Sequence, residues 1–278
     1  MFFVFEILNF ENRFYFLPHI TTHFQPNTSL LNSSLGKSLQ WYVDNGWLPA
    51  IPDEGEVPAN LEDCSWNMIQ QLVQADTFKN YYKVGDTKSI TLSSGEVVYM
   101  QVASINNGEG DAGVWYPKGT VDFIARDCLS TFYALSSSGK YGDIGGWSGC
   151  SLRSQLNTGI LNTLPIDVQN VIIEKTHSYY AAASGYVEAT DKLWLPTVYE
   201  LIGSNYNSNE PVLGNQIYPI FSGVSLVKNF NGGGVTSWWT SSDSTSAYAS
   251  ANSVSYTGAL TITSSNVSAG IPICFRVG

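Results

Sequence analysis

Charge is what this sequence has least of. Charged residues occupy 13% of its 278 positions, about half the usual quarter for a soluble domain. The 13 basic residues are outnumbered by 23 acidic ones, for a formal net charge of −10. Nucleic acid and anionic membranes both require Lys and Arg to neutralise phosphate, so neither is expected as a partner. Histidine is scarcer still, with three copies. His19 and His23 stand four apart beside Pro18, and His177 has no evident partner. A Ser or Cys nucleophile needs such a base within reach, and GWSGC lacks the second glycine of a nucleophile elbow. Cys64, Cys128, Cys150 and Cys274 show no CxxC spacing, which speaks against zinc. Free buried thiols are the expectation. No stretch approaches the length of a membrane span. The opening MFFVFEILNFENRFYFLPH is interrupted by Glu6, Glu11 and Arg13. It lacks the basic leader and clean apolar core of a cleaved secretory signal.

One phosphate-like motif is present and does not persuade. NNGEGDAG spaces Gly108, Gly110 and Gly113 as GxGxxG after a strand-like run. A dinucleotide site needs a helix next, and Pro117 interrupts the segment VWYPKGTVDF that stands in that place. Glu109 and Asp111 would repel phosphate, and suit at most a loop calcium ion. No cofactor is expected and no metal site is assigned.

Aromatic and uncharged polar residues make up the balance. The chain carries 8 Trp, 16 Tyr and 13 Phe, so its surface must be built from Ser, Asn, Thr, Gln, Gly and Tyr. Recognition loops have this composition, combining rigid aromatics with adaptable hydrogen bonders. So does a plain β-rich extracellular-type domain. Residues 1–61, with PNTSLLNSSLGKS and LPAIPDEGEVPAN, read as an N-terminal arm or linker. Its many Phe residues give a motive for ordering against a neighbouring copy, as in a homo-oligomer. Residues 62–278 read as one domain.

Within that domain the periods alternate between helix and strand. Trp66, Ile69, Leu72 and Val73 recur at helical spacing. KSITL and EVVYMQV flank SSG as a hairpin. Leu152, Leu156, Ile160 and Leu161 share a helical face, and Pro165 begins a second helix, PIDVQNVIIEKT, that ends near His177. KLWLPTVYELIG runs from a short strand into a helix whose Thr197 and Glu200 have capping-box spacing. Beyond Asn205 the chain reads as turns and short strands, including ALTIT and IPICFRV, with Ile271, Ile273, Phe275 and Val277 on one face.

The order of landmarks is more specific than any one of them: SWNMIQQL, YYKVGDTKSITL, GGWSGCSLRSQLNTGILNTLP, TDKLWLPTVYELIG, SWWTSSD and IPICFRVG. In this order they resemble a domain-of-unknown-function family of gut bacteria and their phages, over about Glu62 to Gly278. That family is similar in fold to C-type-lectin-like domains. The wider group includes formylglycine-generating enzymes and the variable proteins of diversity-generating retroelements. The resemblance implies an α+β, C-type-lectin-like domain with short antiparallel strands, two or three helices and long loops. It departs at SWWTSSD, where the family's Arg after the two tryptophans is absent. The calcium-sugar triplet of true C-type lectins is also missing, and Cys150 and Cys274 sit in no paired-cysteine oxidase motif.

The function this implies is a non-catalytic ligand- or receptor-recognition domain, displayed on a phage tail or bacterial surface. Its partner would be a protein or glycan ligand on a cell surface, with no membrane insertion. The alternatives are a formylglycine-generating-enzyme-like oxidoreductase and a purely structural virion or adhesin module. Candidate ligand-binding residues come after the tryptophan pair. Tyr248, Ser250, Asn252 and Tyr256, with Asp243 and Ser244 at the margin, are expected on one exposed face. The alternation places Ala247, Ala249 and Ala251 inward, with a bulge near Ser253. In retroelement systems mutated Asn codons become Ser, Thr, Asp, Ala, Tyr and Gly, nearly the residue set of this segment. An ordinary Ser- and Ala-rich strand and loop would look the same. Trp147, Trp194, Trp238 and Trp239 are expected in the core. Both members of the adjacent pair can be buried only on a strand covered on two sides, which predicts a central position in the sheet.

Overall fold

The computed structural model describes residues 57–106, 119–141, 145–204, 206, 217–245 and 249–278, and the backbone of 8–10 and 13–15. The chain divides into two compact units, Met1–Asp53 and Glu54–Gly278. Within the first, β1 (Leu8–Phe10) and β2 (Arg13–Tyr15) pair as an antiparallel hairpin. The second includes the Pro-rich approach to Glu62. Leu61 is buried, and Tyr82 donates its hydroxyl to the Pro58 carbonyl at 2.7 Å.

The second unit is α+β, with every ladder in it antiparallel. Its main sheet joins β3 (Thr87–Thr91), β4 (Val97–Asn106), β5 (Thr120–Ala125), β6 (Ile172–Ile173) and β14 (Cys274–Val277), in the order β3-β4-β5-β14-β6. The first hairpin falls where KSITL and EVVYMQV place it. One face of this sheet is closed by α1 (Trp66–Gln74), which buries Trp66, Ile69 and Val73. Ser65 caps it, its hydroxyl accepting from the Met68 amide at 3.1 Å. Trp66 meets Phe123 and Phe275 edge-on, with centroids 5.3 and 5.6 Å away. The opposite face carries Tyr99 and Gln101 of β4, Asp122 and Ile124 of β5, and Cys274 and Arg276 of β14. Their registers Gln101↔Ile124, Cys274↔Ile124 and Arg276↔Asp122 put them side by side.

The stretch after Gly145 keeps its expected burial but not a single helix. A 3-10 turn (Gly146–Gly149), α2 (Ser151–Gln155), a π turn (Leu156–Ile160) and another 3-10 turn (Leu161–Thr163) succeed one another. Leu152, Leu156 and Ile160 are buried. The helix expected from Pro165 to about Thr176 stops early. α3 spans Ile166–Val171, and the chain then turns into β6 and β7 (Lys175–Ala181). Ile172 and Ile173 complete the sheet edge beside Val277 and Arg276, so long-range pairing of β-branched residues overrides local helix tendency. His177 therefore lies on a strand. β7 pairs with β8 (Gly185–Asp191). α4 (Val198–Ile202) starts at the expected capping box of Thr197 and Glu200. A short ladder of β9 (Lys228–Asn229) and β10 (Val235–Thr236) precedes the second sheet, β11 (Trp238–Asp243), β12 (Ser250–Val254) and β13 (Leu260–Ser264).

The exposed edge of the main sheet is guarded. β3 is its outer strand, and an open strand edge invites pairing with another chain. Glu62 reaches across it. Its carboxylate accepts from the Ser89 amide at 2.7 Å and also from the Ser89 hydroxyl. Lys88 turns its ammonium to the Glu62 carbonyl at 2.8 Å. Glu62→Ala is expected to leave secondary structure by circular dichroism unchanged and to raise concentration-dependent self-association in sedimentation velocity. Sedimentation identical to the parent at every concentration would refute this role.

Candidate functional site

The adjacent tryptophans organise the second sheet. Both are fully buried, and on a strand they point to opposite sides. Trp239 belongs to the main core and donates its indole N–H to the Tyr133 carbonyl at 2.9 Å. Trp238 belongs to a second cluster with Cys128, Leu201, Leu226 and Val254, and donates to the Leu226 carbonyl at 2.9 Å. β11 is an edge of its three-stranded sheet, contrary to the central position expected from burial of both. Backbone from other segments closes that edge instead, with Pro196 accepting from the Ser241 amide at 3.1 Å. Gly270 accepts from the Trp239 amide at 3.0 Å and donates to the Ser237 carbonyl at 2.9 Å. A Cβ there would stand 2.8 Å from the Cys128 sulfur, so only glycine lets the backbones approach this closely.

The residues after the pair are core, which corrects the expectation that they form an exposed face. Asp243, Ser244 and Asn252 are all buried, with Asp243 1% exposed. The Asp243 carboxylate accepts from the Ala182 amide at 2.7 Å and the Ser244 amide at 2.8 Å. Asn252 donates its side-chain amide to the Asp243 carbonyl at 2.7 Å. Thr240 donates to the Asn252 carbonyl at 2.7 Å, and Ser242 accepts from the Val198 amide at 2.7 Å. The ladder between β11 and β12 shifts register between Trp239 and Asp243. A bulge frees backbone groups that must find other partners when buried, and short polar side chains supply them. The bulge thus falls on β11, whereas β12 pairs regularly with β13 through Ser253. The inward and outward alternation also fails, because Ala251 and Asn252 are both buried and Ala249 is exposed. Ser250 is half-buried. Tyr256, in the turn between β12 and β13, is 62% exposed. Tyr248 lies outside the described residues, as do Glu109, Asp111, His19 and His23. Trp147 and Trp194 are buried as expected, and all four cysteines are free and buried.

A cleft that no sequence motif marks lies beside the turn that bears Tyr256. The cleft holds about 410 Å³ and opens on the outer face of the main sheet. Its floor is Gln101 and Ile124, partners across β4 and β5. The segment from Ile220 to Asn229 forms its wall, with Phe221, Leu226 and Lys228. That wall is hung from the core by Trp238 through Leu226. Lys228 is buried and donates to the Ala125 and Arg126 carbonyls at 2.8 Å each, with burial pulling its pKa down. Arg126 lies over the Tyr99 ring, 4.4 Å from its centroid, and its Nε donates to Asp127 at 3.0 Å. The turn bearing Tyr256 touches this wall, since a Cβ on Gly258 would meet Val227 and Ser225 at 3.0 and 3.1 Å.

Behind the cleft on the same sheet face, four charges are sealed together. Arg276 grips Asp122 through two hydrogen bonds of 2.6 and 2.9 Å. Lys175 pairs with Glu200, lies 3.6 Å from Asp122, and donates to the Tyr218 hydroxyl at 3.1 Å. Burial would raise the Asp122 pKa, but the Arg276 and Lys175 charges outweigh it and hold it below the ordinary value. Burial also lifts the Tyr218 phenol and the Cys274 thiol well above theirs. A second knot centres on Asp191, which accepts from Trp147, Arg153 and Asn157 and lies 3.5 Å from His177. Both knots tie strands to helices. Among the described residues no group of three or more His, Cys, Asp and Glu could hold a metal ion.

These observations define an antiparallel α+β domain with a sealed ionic core and one wall-hung cleft. A family described as "Domain of unknown function (DUF6273)" matches residues 123–278, and the chain belongs to it. No curated protein and no solved structure matches the chain.

Removing one partner of a buried ion pair costs about 3–5 kcal/mol. Lys175→Met is expected to lower stability by about that much in urea unfolding at pH 7. Adding Glu200→Gln, which neutralises the stranded carboxylate, is expected to restore part of the loss. A double variant no better than the single would contradict a charge-balance role. Because the folded pKa of Asp122 is depressed, its contribution is complete above the unfolded value of about 3.9 and is lost as pH falls through the folded one. Acid titration of the urea midpoint is expected to show this loss in the parent and less of it in Asp122→Asn.

Proposed function

We propose that this chain is a non-catalytic recognition domain of C-type-lectin-like fold. It is displayed on a phage tail or bacterial surface and binds a protein or glycan ligand on a cell. The contact surface is the cleft and its rim, not the run of β12. The observation that carries this reading is a group of exposed apolar side chains around the cleft, seven of the thirteen large ones exposed among the described residues. Val97, Tyr99, Phe132, Val224, Val227, Val235 and Tyr256 are all exposed, and they flank the cleft or the strands and turns that build it. Phe132 packs edge-on against Phe230 at 5.6 Å, and Asn231 donates to the Val97 carbonyl at 2.6 Å. A concave site that mixes polar and apolar lining inside an apolar rim is a common form of a binding face.

The thiols support binding over oxidase chemistry. Burial pushes the Cys128 and Cys150 thiols up to about 12 and Cys274 well above its ordinary value. A thiol so raised is protonated at neutral pH and a poor nucleophile. The segment whose composition resembles diversified codons commits Asp243, Ser244 and Asn252 to core contacts. Among its described residues, diversification would fall on Ser250 and Tyr256.

The test uses the fluorescently labelled full chain on a panel of bacterial cells, read by flow cytometry. Tyr256→Ala combined with Val224→Asp is expected to weaken binding about tenfold or more, as interface hot spots do. The melting temperature should change little, since exposed substitutions usually shift stability by no more than about 0.5 kcal/mol. Binding equal to the parent would overturn the recognition face, and failure to bind any cell would favour a structural module.

A further inference from the structure

We propose that the cleft binds the C-terminal carboxylate of a protein chain that ends in an apolar residue, with Arg126 as the carboxylate's partner. This rests on the recognition reading and specifies its ligand. Three arginines have described side chains, and two of them are committed to structure. Arg153 gives Nε to Asp191, Nη1 to the Ser148 carbonyl and Nη2 to the Thr190 carbonyl. Arg276 is buried on Asp122. Arg126 differs. Asp127 takes its Nε and Tyr99 supports its plane, while no partner among the described residues takes its two terminal nitrogens. A guanidinium fixed along one edge and stacked on a ring presents its other edge ready-made to a carboxylate.

The rest of the cleft fits the residue attached to that carboxylate. Ile124, Ile220, Phe221, Leu226 and Val227 line it with carbon, suited to an aliphatic or aromatic side chain. Lys228 donates to two backbone carbonyls beside the floor. The Gln101 amide on the floor has no hydrogen-bond partner among the described residues, and is placed to bond a peptide group. An acidic sugar would satisfy the same arginine and find Ser225 and Asn229 for its hydroxyls, but it would leave Ile220, Phe221 and Leu226 without an apolar partner. The volume of about 410 Å³ falls within the range of small-ligand sites, about 300–1,000 Å³.

The experiment titrates the ¹⁵N-labelled full chain with N-acetyl-leucine, N-acetyl-leucinamide and glucuronic acid, tracking amide shifts. N-acetyl-leucine is expected to shift the amides around Arg126 and Asn229. The amide and the sugar acid should bind at least tenfold more weakly. Arg126→Gln should reduce N-acetyl-leucine binding about tenfold without changing the melting temperature, and Arg126→Lys should recover part of it. Equal binding of acid and amide, tighter binding of glucuronic acid, or no shift with any probe would overturn the proposal. The two readings fail separately. Loss of cell binding in the rim variant with no response to N-acetyl-leucine keeps the face and removes the carboxylate site. A response to N-acetyl-leucine with unaltered cell binding in the rim variant keeps the site and removes the face.

Discussion

Burial of two adjacent indoles on opposite sides of one strand is the constraint on which the rest of the second unit depends. Each buried aromatic removes about 150–250 Å² from water, worth about 4–6 kcal/mol at ~25 cal/mol/Å². Neighbouring residues on a strand cannot share a core, so β11 must have a core on each side. Trp239 closes the larger one beneath the main sheet. Trp238 creates the smaller one, and through the Leu226 carbonyl it holds the wall that makes the cleft. Without the second core, the outer face of β4 and β5 would carry Gln101 and Ile124 with no wall opposite them.

A chain with so few charges places many of them inside. Asp122, Lys175, Glu200 and Arg276 are all nearly inaccessible, and together they sum to zero. Their arrangement joins the main sheet, β7 and α4, whose packing would otherwise rest on carbon alone. Burying ions adds little net stability, and orientation is what these groups supply: a bidentate pair and a capping box fix angles that apolar contacts leave loose. The outer surface then has few strong charges, and Arg126 stands out on it.

Much of the fold was legible in local pattern. Trp66, Ile69 and Val73 mark a helix face without ambiguity, the Ser-Ser-Gly turn sets the first hairpin, and Thr197 with Glu200 sets the start of α4. The α3 boundary was not, because Ile172 and Ile173 answer to Val277 and Arg276, which are remote in sequence. Of the residues expected on an exposed face, Tyr256 is the one that stands fully exposed among those described. Asp243, Ser244 and Asn252 look like surface residues by composition, but a bulge turns them inward to serve backbone groups, and one of those, the Ala182 amide, is distant in sequence. Arg153 and Arg276 each meet an aspartate remote in sequence, Asp191 and Asp122, whereas Arg126 meets its neighbour Asp127.

That Trp238 holds the cleft wall while Trp239 holds the main core is open to native-state hydrogen exchange of Trp238→Phe and Trp239→Phe, read segment by segment. Phenylalanine keeps most of the buried carbon but deletes the indole hydrogen bond and part of the ring; the hydrogen bond alone is a loss of about 1 kcal/mol, or roughly fivefold in local opening. The account predicts that Trp238→Phe speeds exchange within residues 220–229 and leaves β4, β5 and β14 unchanged, whereas Trp239→Phe raises exchange throughout the main sheet. Uniform acceleration in both variants, or protection of residues 220–229 unaltered by Trp238→Phe, would contradict it.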